Sequence, residues 1–144
     1  IITSEQSGEP GFVARNRAKE IISGKFSDCD VLLLGGETTP VLPETFGKGG
    51  RNQHYVAATL FEMANYSDPW LLASVATDGA DFIPEIAGAM VDNDSIRSAE
   101  AKGLEIRSFV DSYNSNELLE QLSDSLIKIG YTGTNVGDVI LYIL

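Results

Sequence analysis

The sequence is poor in cysteine, in positive charge and in long apolar runs. It has one cysteine, Cys29, in 144 residues, so no disulfide can form within the chain and a reducing, cytoplasmic location is expected. Lysine and arginine number 10 against 21 acidic residues. Nucleic acids and anionic membranes are bound by clustered cations, so neither is an expected partner. No apolar run is long enough to span a bilayer.

The composition is that of an ordinary folded domain. Hydrophobic residues make up 43% of the chain and aromatic residues 8%, which predicts a single domain over residues 1–144. The formal charge of −11 is concentrated in residues 60–124, which hold 13 acidic and three basic side chains. The remainder is close to neutral, so an acidic chain can still present a local pocket for an anion.

Strand-like and helix-like segments alternate along the chain. Residues 12–23 and 51–65 have apolar residues at helical spacing, whereas residues 30–34 and 70–76 are apolar runs of strand length. Such runs are typical of strands buried on both faces. Residues 85–90 are predicted to form a short helix. The alternation predicts a layered α/β fold with a mixed, mostly parallel sheet flanked by helices.

Glycine-containing loops border the apolar segments. They comprise residues 35–39, 47–51, 76–81 and 132–138. Ligands of α/β sheets bind beyond the carboxyl ends of strands, and glycine lets a backbone come close to a ligand. The loop at residues 47–51 leads directly into a predicted helix, whose first N–H groups are suited to an anion. It is not a Walker A loop, because the Lys-Ser/Thr ending is missing.

Residue type alone leaves alternatives open at each of these positions. The glycines also fit strand ends, and Lys48 and Arg51 also fit solvated surface cations. Asp78 and Asp81 suit Mg²⁺ or a simple Asx turn. His54 fits a surface or capping residue better than a catalytic one.

Five blocks taken together resemble a known family. They are Gly35-Gly36-Glu37-Thr38-Thr39, Gly47-Lys48-Gly49-Gly50-Arg51-Asn52-Gln53, Thr77-Asp78-Gly79, Ala87-Gly88-Ala89 with Val91-Asp92, and Thr132-Gly133-Thr134-Asn135-Val136. In this order they are similar to the MOFRL domain, the C-terminal domain of type II glycerate kinases, some of which were once labelled hydroxypyruvate reductases. The resemblance covers almost the whole chain.

The resemblance implies an activity that this chain only partly encodes. The family enzymes transfer the γ-phosphate of ATP to the 2-hydroxyl of (R)-glycerate with a divalent cation, Mg²⁺, in a cleft between two domains. The family's larger, Rossmann-like N-terminal domain is not represented in these residues, so the chain is expected to be a fragment, with residues 1–11 as the lead-in from that domain. A homodimer is a further expected partner. The chain alone is expected to be inactive; the alternative is a non-enzymatic structural or dimerisation domain with a vestigial anion loop.

The resemblance also implies roles for individual residues. Arg51 and Lys48 are expected to be catalytic, through charge on a carboxylate or phosphate. Asp78 and Glu37 are the expected metal ligands. Substrate or phosphate binding is expected of Glu37, Thr38, Asn52, Gln53, Thr134 and Asn135.

The chain departs from the family pattern at several positions. His54 stands where the family usually has Glu, and Phe82 with Ile83 replaces a polar turn that contains glycine. Tyr113-Asn114-Ser115-Asn116 stands for the usual Asn-Asp-Ser-Tyr, and Tyr131 replaces a proline. These changes are expected to alter the substrate or weaken the site.

Overall fold

The computed structural model describes residues 3–144, in which six strands and five helices are formed. Ile1 and Ile2, the start of the predicted lead-in, lie outside the described residues. The elements are β1 (Thr3–Gln6), α1 (Pro10–Ile22), β2 (Val31–Gly36), α2 (Arg51–Glu62), β3 (Leu71–Ala76), β4 (Ile86–Asp92), α3 (Asn93–Ala101), α4 (Ile106–Asp111), α5 (Ser115–Gln121), β5 (Leu126–Lys128) and β6 (Asp138–Ile143). No helix among them is both long and apolar enough to cross a membrane.

The six strands form one sheet in the order β1-β2-β6-β3-β4-β5. The predictions of an α/β fold and a mixed sheet are confirmed. The expectation that the sheet is mostly parallel is wrong, since only β1 and β2 pair in parallel and the other four pairs are antiparallel. The reason is the short link at residues 77–85, which joins β3 to β4 as a hairpin and has no room for a crossover helix.

The predicted short helix at residues 85–90 is also wrong, because Ile86–Asp92 forms strand β4. Its alanines favour a helix locally, but pairing with β3 decides the outcome. A side chain at Gly88 would lie 1.9 Å from the Ser74 carbonyl oxygen. Glycine is therefore required for β4 to approach β3 at this register.

The helices cover only one face of the sheet. Inward strand residues such as Leu34, Leu72 and Ile140 share one hydrophobic core with residues of all five helices. The expectation that β2 is buried on both faces is wrong, since Val31 is 50% exposed and Leu33 37%. The molecule thus has two layers, a sheet and a helical layer, with the outer sheet face open.

A small hydroxyl cluster lies at the centre of the core. Tyr55 on α2 and Tyr142 on β6 are fully buried, and their hydroxyl oxygens are 2.9 Å apart. Thr59 Oγ1 lies 3.4 Å from the Tyr142 hydroxyl. Burial raises the pKa of Tyr142 to about 12 and that of Tyr55 well above its usual value.

This cluster predicts a loss of stability at alkaline pH. In the folded state Tyr142 holds its proton up to about pH 12, because its pKa is raised. In the unfolded chain tyrosine has a pKa of about 10 and releases its proton near that pH. The free energy of unfolding should therefore fall as the pH rises from about 10 to 12, by on the order of 2 kcal/mol. Denaturant titrations at several pH values measure it.

Tyr142→Phe should remove the share of that decline that comes from Tyr142, while the buried Tyr55 keeps its own share. It should cost about 1–2 kcal/mol at neutral pH, because the Tyr55 hydroxyl loses its partner. Tyr131→Phe is the matched control, since Tyr131 is 89% exposed. An unchanged alkaline slope in Tyr142→Phe would contradict the assignment.

Candidate functional site

Loops from three parts of the chain enclose a cleft of about 250 Å³. The segment after β2, the glycine loop that precedes α2, and the turn after β3 supply most of its wall. Of the predicted site residues, Glu37, Thr38 and Arg51 line it. The structure therefore brings together one cation, one carboxylate and one hydroxyl from two of the predicted loops.

Arg51, the first residue of α2, is held rigidly at the wall of the cleft. Its Nε and Nη2 atoms donate to the two carboxylate oxygens of Asp138 at 2.7 and 2.8 Å. Its Nη1 lies 3.2 Å from Oε1 of Glu37. Hydrogen bonding to Asp138 raises the pKa of Arg51 above its usual range. The guanidinium is thus permanently charged and oriented, although two carboxylates partly balance its charge.

The start of α2 already holds an anion of the protein itself. Asp81, only 1% exposed, accepts from the backbone N–H groups of Asn52 at 3.0 Å and Gln53 at 2.8 Å. The sequence predicted that the first N–H groups of this helix bind an external anion. For the N–H groups of Asn52 and Gln53 the prediction is wrong, because they donate to Asp81. Burial raises the pKa of the Asp81 carboxyl, and the N–H donors oppose that rise.

The side-chain amides of Asn52 and Gln53 belong to the same buried network. Both donate to the Asp81 carboxylate, at 3.3 and 3.1 Å. Asn52 Oδ1 also accepts from Ser74, and Gln53 Oε1 accepts from Asn116 at 2.9 Å. The contacts of these two predicted binding residues are therefore with Asp81 and its neighbours in the protein.

The glycine loop is packed tightly against the protein. A Cβ atom at Gly49 would lie 2.2 Å from Ser115 Oγ, and one at Gly50 would lie 2.1 Å from the Asp81 carbonyl oxygen. The N–H groups of Gly49, Gly50 and Arg51 have no hydrogen-bond partner in the described part of the chain. Lys48, in the same loop, is exposed and does not line the cleft, whereas Gly50 is buried. Unpaired N–H groups of successive loop residues are the kind of donor that holds anions in other proteins.

Two further predicted residues, Thr134 and Asn135, lie in the loop between β5 and β6, which is tied to the turn after β3. Thr77 Oγ1 donates to the Gly137 carbonyl at 2.7 Å and accepts from Val136 N at 2.9 Å, which ties the turn after β3 to the loop before β6. Thr134 and Asn135 are exposed in that second loop. None of these residues lines the cleft.

Asp78 and Glu37 are not brought together as a pair of metal ligands. Asp78 Oδ1 accepts from Ala80 N at 3.0 Å, which is an Asx turn, and Asp78 does not line the cleft. Glu37 lines the cleft but pairs with Arg51. Residues 3–144 contain no cluster of three or more histidine, cysteine, aspartate or glutamate side chains that could hold a metal ion.

Sequence reasoning missed a stacked pair in the cleft wall. The rings of His54 and Tyr113 lie 4.2 Å apart and are parallel within 3°. Tyr113 donates to Glu9 Oε1 at 3.2 Å, and His54 Nε2 lies 3.8 Å from the same oxygen. Burial lowers the pKa of His54, which keeps the ring neutral near pH 7. The only available signal was that both residues depart from the family pattern.

The chain is similar in sequence to one protein family and to several curated proteins. The family model described as "MOFRL family" matches residues 30–138. A glycerate 2-kinase of Pyrococcus horikoshii is 32% identical over 79% of this chain and 25% of its own length. A rat glycerate kinase is 38% identical over 78% of this chain and 22% of its own length. The chain thus spans only a quarter or less of these two curated relatives.

Solved structures agree with the sequence matches. A crystal structure of glycerate kinase from Thermotoga maritima superposes with a TM-score of 0.89 at 29% identity, over 100% of this chain and 35% of that one. The PH0495 protein of Pyrococcus horikoshii gives 0.86 at 28% identity, over 100% of this chain and 34% of that one.

The buried network predicts that Asp81 holds the glycine loop and α2 together. Asp81→Ala would leave two backbone N–H groups and the Asn52 amide without a partner, each costing about 1–3 kcal/mol, while the Gln53 amide keeps the Asp81 carbonyl at 3.2 Å. We expect it to lower the free energy of unfolding by at least about 3 kcal/mol in a urea titration. Asp78→Ala is the matched control, since it removes only one exposed Asx turn. Equal effects of the two substitutions would contradict this role.

Proposed function

The chain belongs to the MOFRL family, and from that premise we propose that it is the C-terminal part of a glycerate kinase. Its matches to glycerate kinases cover 22–35% of their lengths, which supports a longer whole. The complete enzyme would transfer the γ-phosphate of ATP to the 2-hydroxyl of a glycerate-type acid. A Rossmann-like N-terminal domain would face the cleft and supply the other half of the site, in a cytoplasmic protein.

The observation that carries this proposal is the fixed guanidinium beside a glycine loop whose N–H groups have no partner in the described part of the chain. Phosphoryl transfer depends on positioning and on neutralising negative charge. Arg51, oriented by Asp138, would bind the carboxylate of the acid or a phosphate oxygen. Lys48 and the N–H groups of Gly49 and Gly50 would hold the same anion from the loop side.

The other predicted residues take direct or supporting roles in this proposal. Thr38 lines the cleft and would donate to the acid. Asn52 and Gln53 would act through Asp81, by keeping the start of α2 in place. Thr134 and Asn135 are exposed on a neighbouring loop, where they would meet the nucleotide phosphates carried by the missing domain.

A magnesium ion would fit this half-site only if phosphate oxygens of the bound nucleotide supplied part of its ligands. Mg²⁺ bound with a nucleotide usually takes one or two protein carboxylates together with phosphate oxygens and water. Glu37 lines the cleft and would be such a carboxylate, while Asp78 would serve from the neighbouring loop. Bound Mg²⁺ would supply charge neutralisation of the phosphates, and Glu37 would then exchange its contact with Arg51 for the ion.

Substitution of Arg51 tests the proposal in the complete natural protein. Arg51→Ala should lower kcat/KM for glycerate at least tenfold, about 1.4 kcal/mol. Arg51→Lys should also be impaired, because lysine cannot form the bidentate contact. Arg97→Ala is the control, since Arg97 is an exposed α3 residue that pairs with Asp94 and does not line the cleft. Coupled nucleotide-consumption assays measure each variant.

Loss of the Arg51 charge leaves Asp138 buried without its partner, so unfolding must be separated from loss of function. The double variant Arg51→Ala/Asp138→Asn removes both charges together. It should remain folded by circular dichroism and still lack activity. Near-wild-type turnover in this double variant would remove Arg51 from the site.

The alternative function, a dimerisation domain, is favoured by the open sheet face. Leu33, Leu141, Ala73 and Met90 form a cross-strand row on β2, β6, β3 and β4. Two of them, Leu33 at 37% and Met90 at 39%, are exposed. An apolar row of this kind is typical of a surface that packs against another protein surface.

Light scattering after gel filtration tests this alternative. If the face joins two copies, the 15.5 kDa chain elutes as a dimer and Leu33→Lys returns it to a monomer. Val41→Lys is the matched control, because Val41 is 73% exposed but lies outside the sheet. A wild-type monomer at all concentrations would contradict the alternative.

A further inference from the structure

Part of the cleft wall is apolar, next to the charged part around Arg51. Phe82, Phe46 and Leu42 line the cleft and are 79%, 48% and 45% exposed. Large apolar side chains that remain exposed around one concave surface are typical of a ligand site. Phe82 is exposed although it directly follows the buried Asp81.

One aromatic residue of this wall, Phe82, has an unfavourable backbone conformation. Its φ is 64°, a left-handed region that costs a bulky residue energy and costs glycine almost none. Tyr113, with φ of 52°, lies just after the end of α4, where its N–H donates to the Val110 carbonyl and the N–H of Asn114 to the Phe109 carbonyl in a helix-capping motif. The backbone at residue 82 is fixed by its neighbours, since Ile83 N donates to the Asp81 carbonyl at 2.8 Å. Retained strain of this kind is concentrated at functional sites.

Two of the polar side chains beside this apolar wall, Tyr113 and Asp81, are already engaged within the protein. The neutral ring of His54 lies stacked against Tyr113, whose hydroxyl donates to Glu9. The Asp81 carboxylate accepts four hydrogen bonds from Asn52 and Gln53. Arg51 and Thr38 line the charged part of the cleft, and His54 Nδ1 is a buried atom without a hydrogen-bond partner among the described residues. The surface that Phe82, Phe46 and Leu42 offer to the rest of a ligand is carbon.

We propose that the cleft selects a 2-hydroxy acid whose third carbon carries an aromatic or branched apolar group, and that Phe82 and Tyr113 are the residues that select it. The inference rests on the proposed function and narrows its acceptor. The carboxylate binds at the Arg51 end of the cleft, and the apolar group packs against Phe82, Tyr113 and Phe46. Glycerate, with a hydroxymethyl group in that place, gains nothing from these contacts.

Competition between two acids tests this selection in the complete natural protein. With ATP, kcat/KM for (R)-3-phenyllactate should exceed that for (R)-glycerate by roughly tenfold or more, a ratio that apolar contacts can supply. Phe82→Gly should reverse the preference by a similar factor. Phe12→Ala is the matched control, because Phe12 is 60% exposed on α1 and does not line the cleft; it should leave the ratio unchanged.

A thermal melt shows that any loss in Phe82→Gly is not caused by unfolding. Because glycine relieves the left-handed strain, the melting temperature of this variant should rise or stay level. If the wild-type protein prefers glycerate and Phe82→Gly has the same preference, the inference is overturned and the kinase proposal stays intact. An effect of Phe82→Gly on the KM for ATP alone would also overturn it, because the wall would then serve the nucleotide base.

The inference and the proposed function fail in different ways. If neither acid is phosphorylated, the kinase proposal fails, and binding alone decides the inference. Saturation-transfer NMR should then still detect phenyllactate on the wild-type protein but not on Phe82→Gly, with glycerate as the weaker ligand. No phenyllactate signal on the wild type, or an equal signal on Phe82→Gly, would overturn the inference.

Discussion

The candidate site depends on the carboxylate of Asp81 at the start of α2. This single side chain, buried to 1% exposure, binds two backbone N–H groups and two amides of the helix. It thereby joins the turn after β3 to the glycine loop, which approaches so closely that Gly50 has no room for a side chain. Phe82 follows Asp81 in sequence and Arg51 precedes Asn52, so the same contacts fix the position of both residues in the cleft wall. A structural carboxylate, not a ligand, satisfies the helix start.

The electrostatics of the site are local and differ from those of the chain as a whole. The net charge of −11 comes chiefly from residues 60–124, whereas the cleft is organised around the ion pairs of Arg51 with Asp138 and Glu37. Pairing keeps the guanidinium rigid but reduces its field. In the proposed function, the N–H groups of the glycine loop and Lys48 complete the anion site.

The sequence predicted the α/β class, the helices α1 and α2 and the strands β2 and β3, because their apolar spacing is a local property. Strand direction was not predictable from such spacing, since the antiparallel place of β6 between β2 and β3 depends on long-range pairing. The same limit applies to the site. Arg51 was identified from its motif, but Asp138, 87 residues away and paired with it, carried no local signal. His54 and Tyr113 were noticed only as departures, and their stacking requires the folded chain.

The central claim is that the Arg51 end of this cleft binds the carboxylate of a hydroxy acid. A crystal structure of the complete natural protein with such an acid bound tests it most directly. The account predicts carboxylate oxygens within hydrogen-bond distance of the Arg51 guanidinium or of the Gly49 and Gly50 N–H groups. An acid bound entirely outside this cleft, with Arg51 still paired to Asp138 and Glu37, would contradict it.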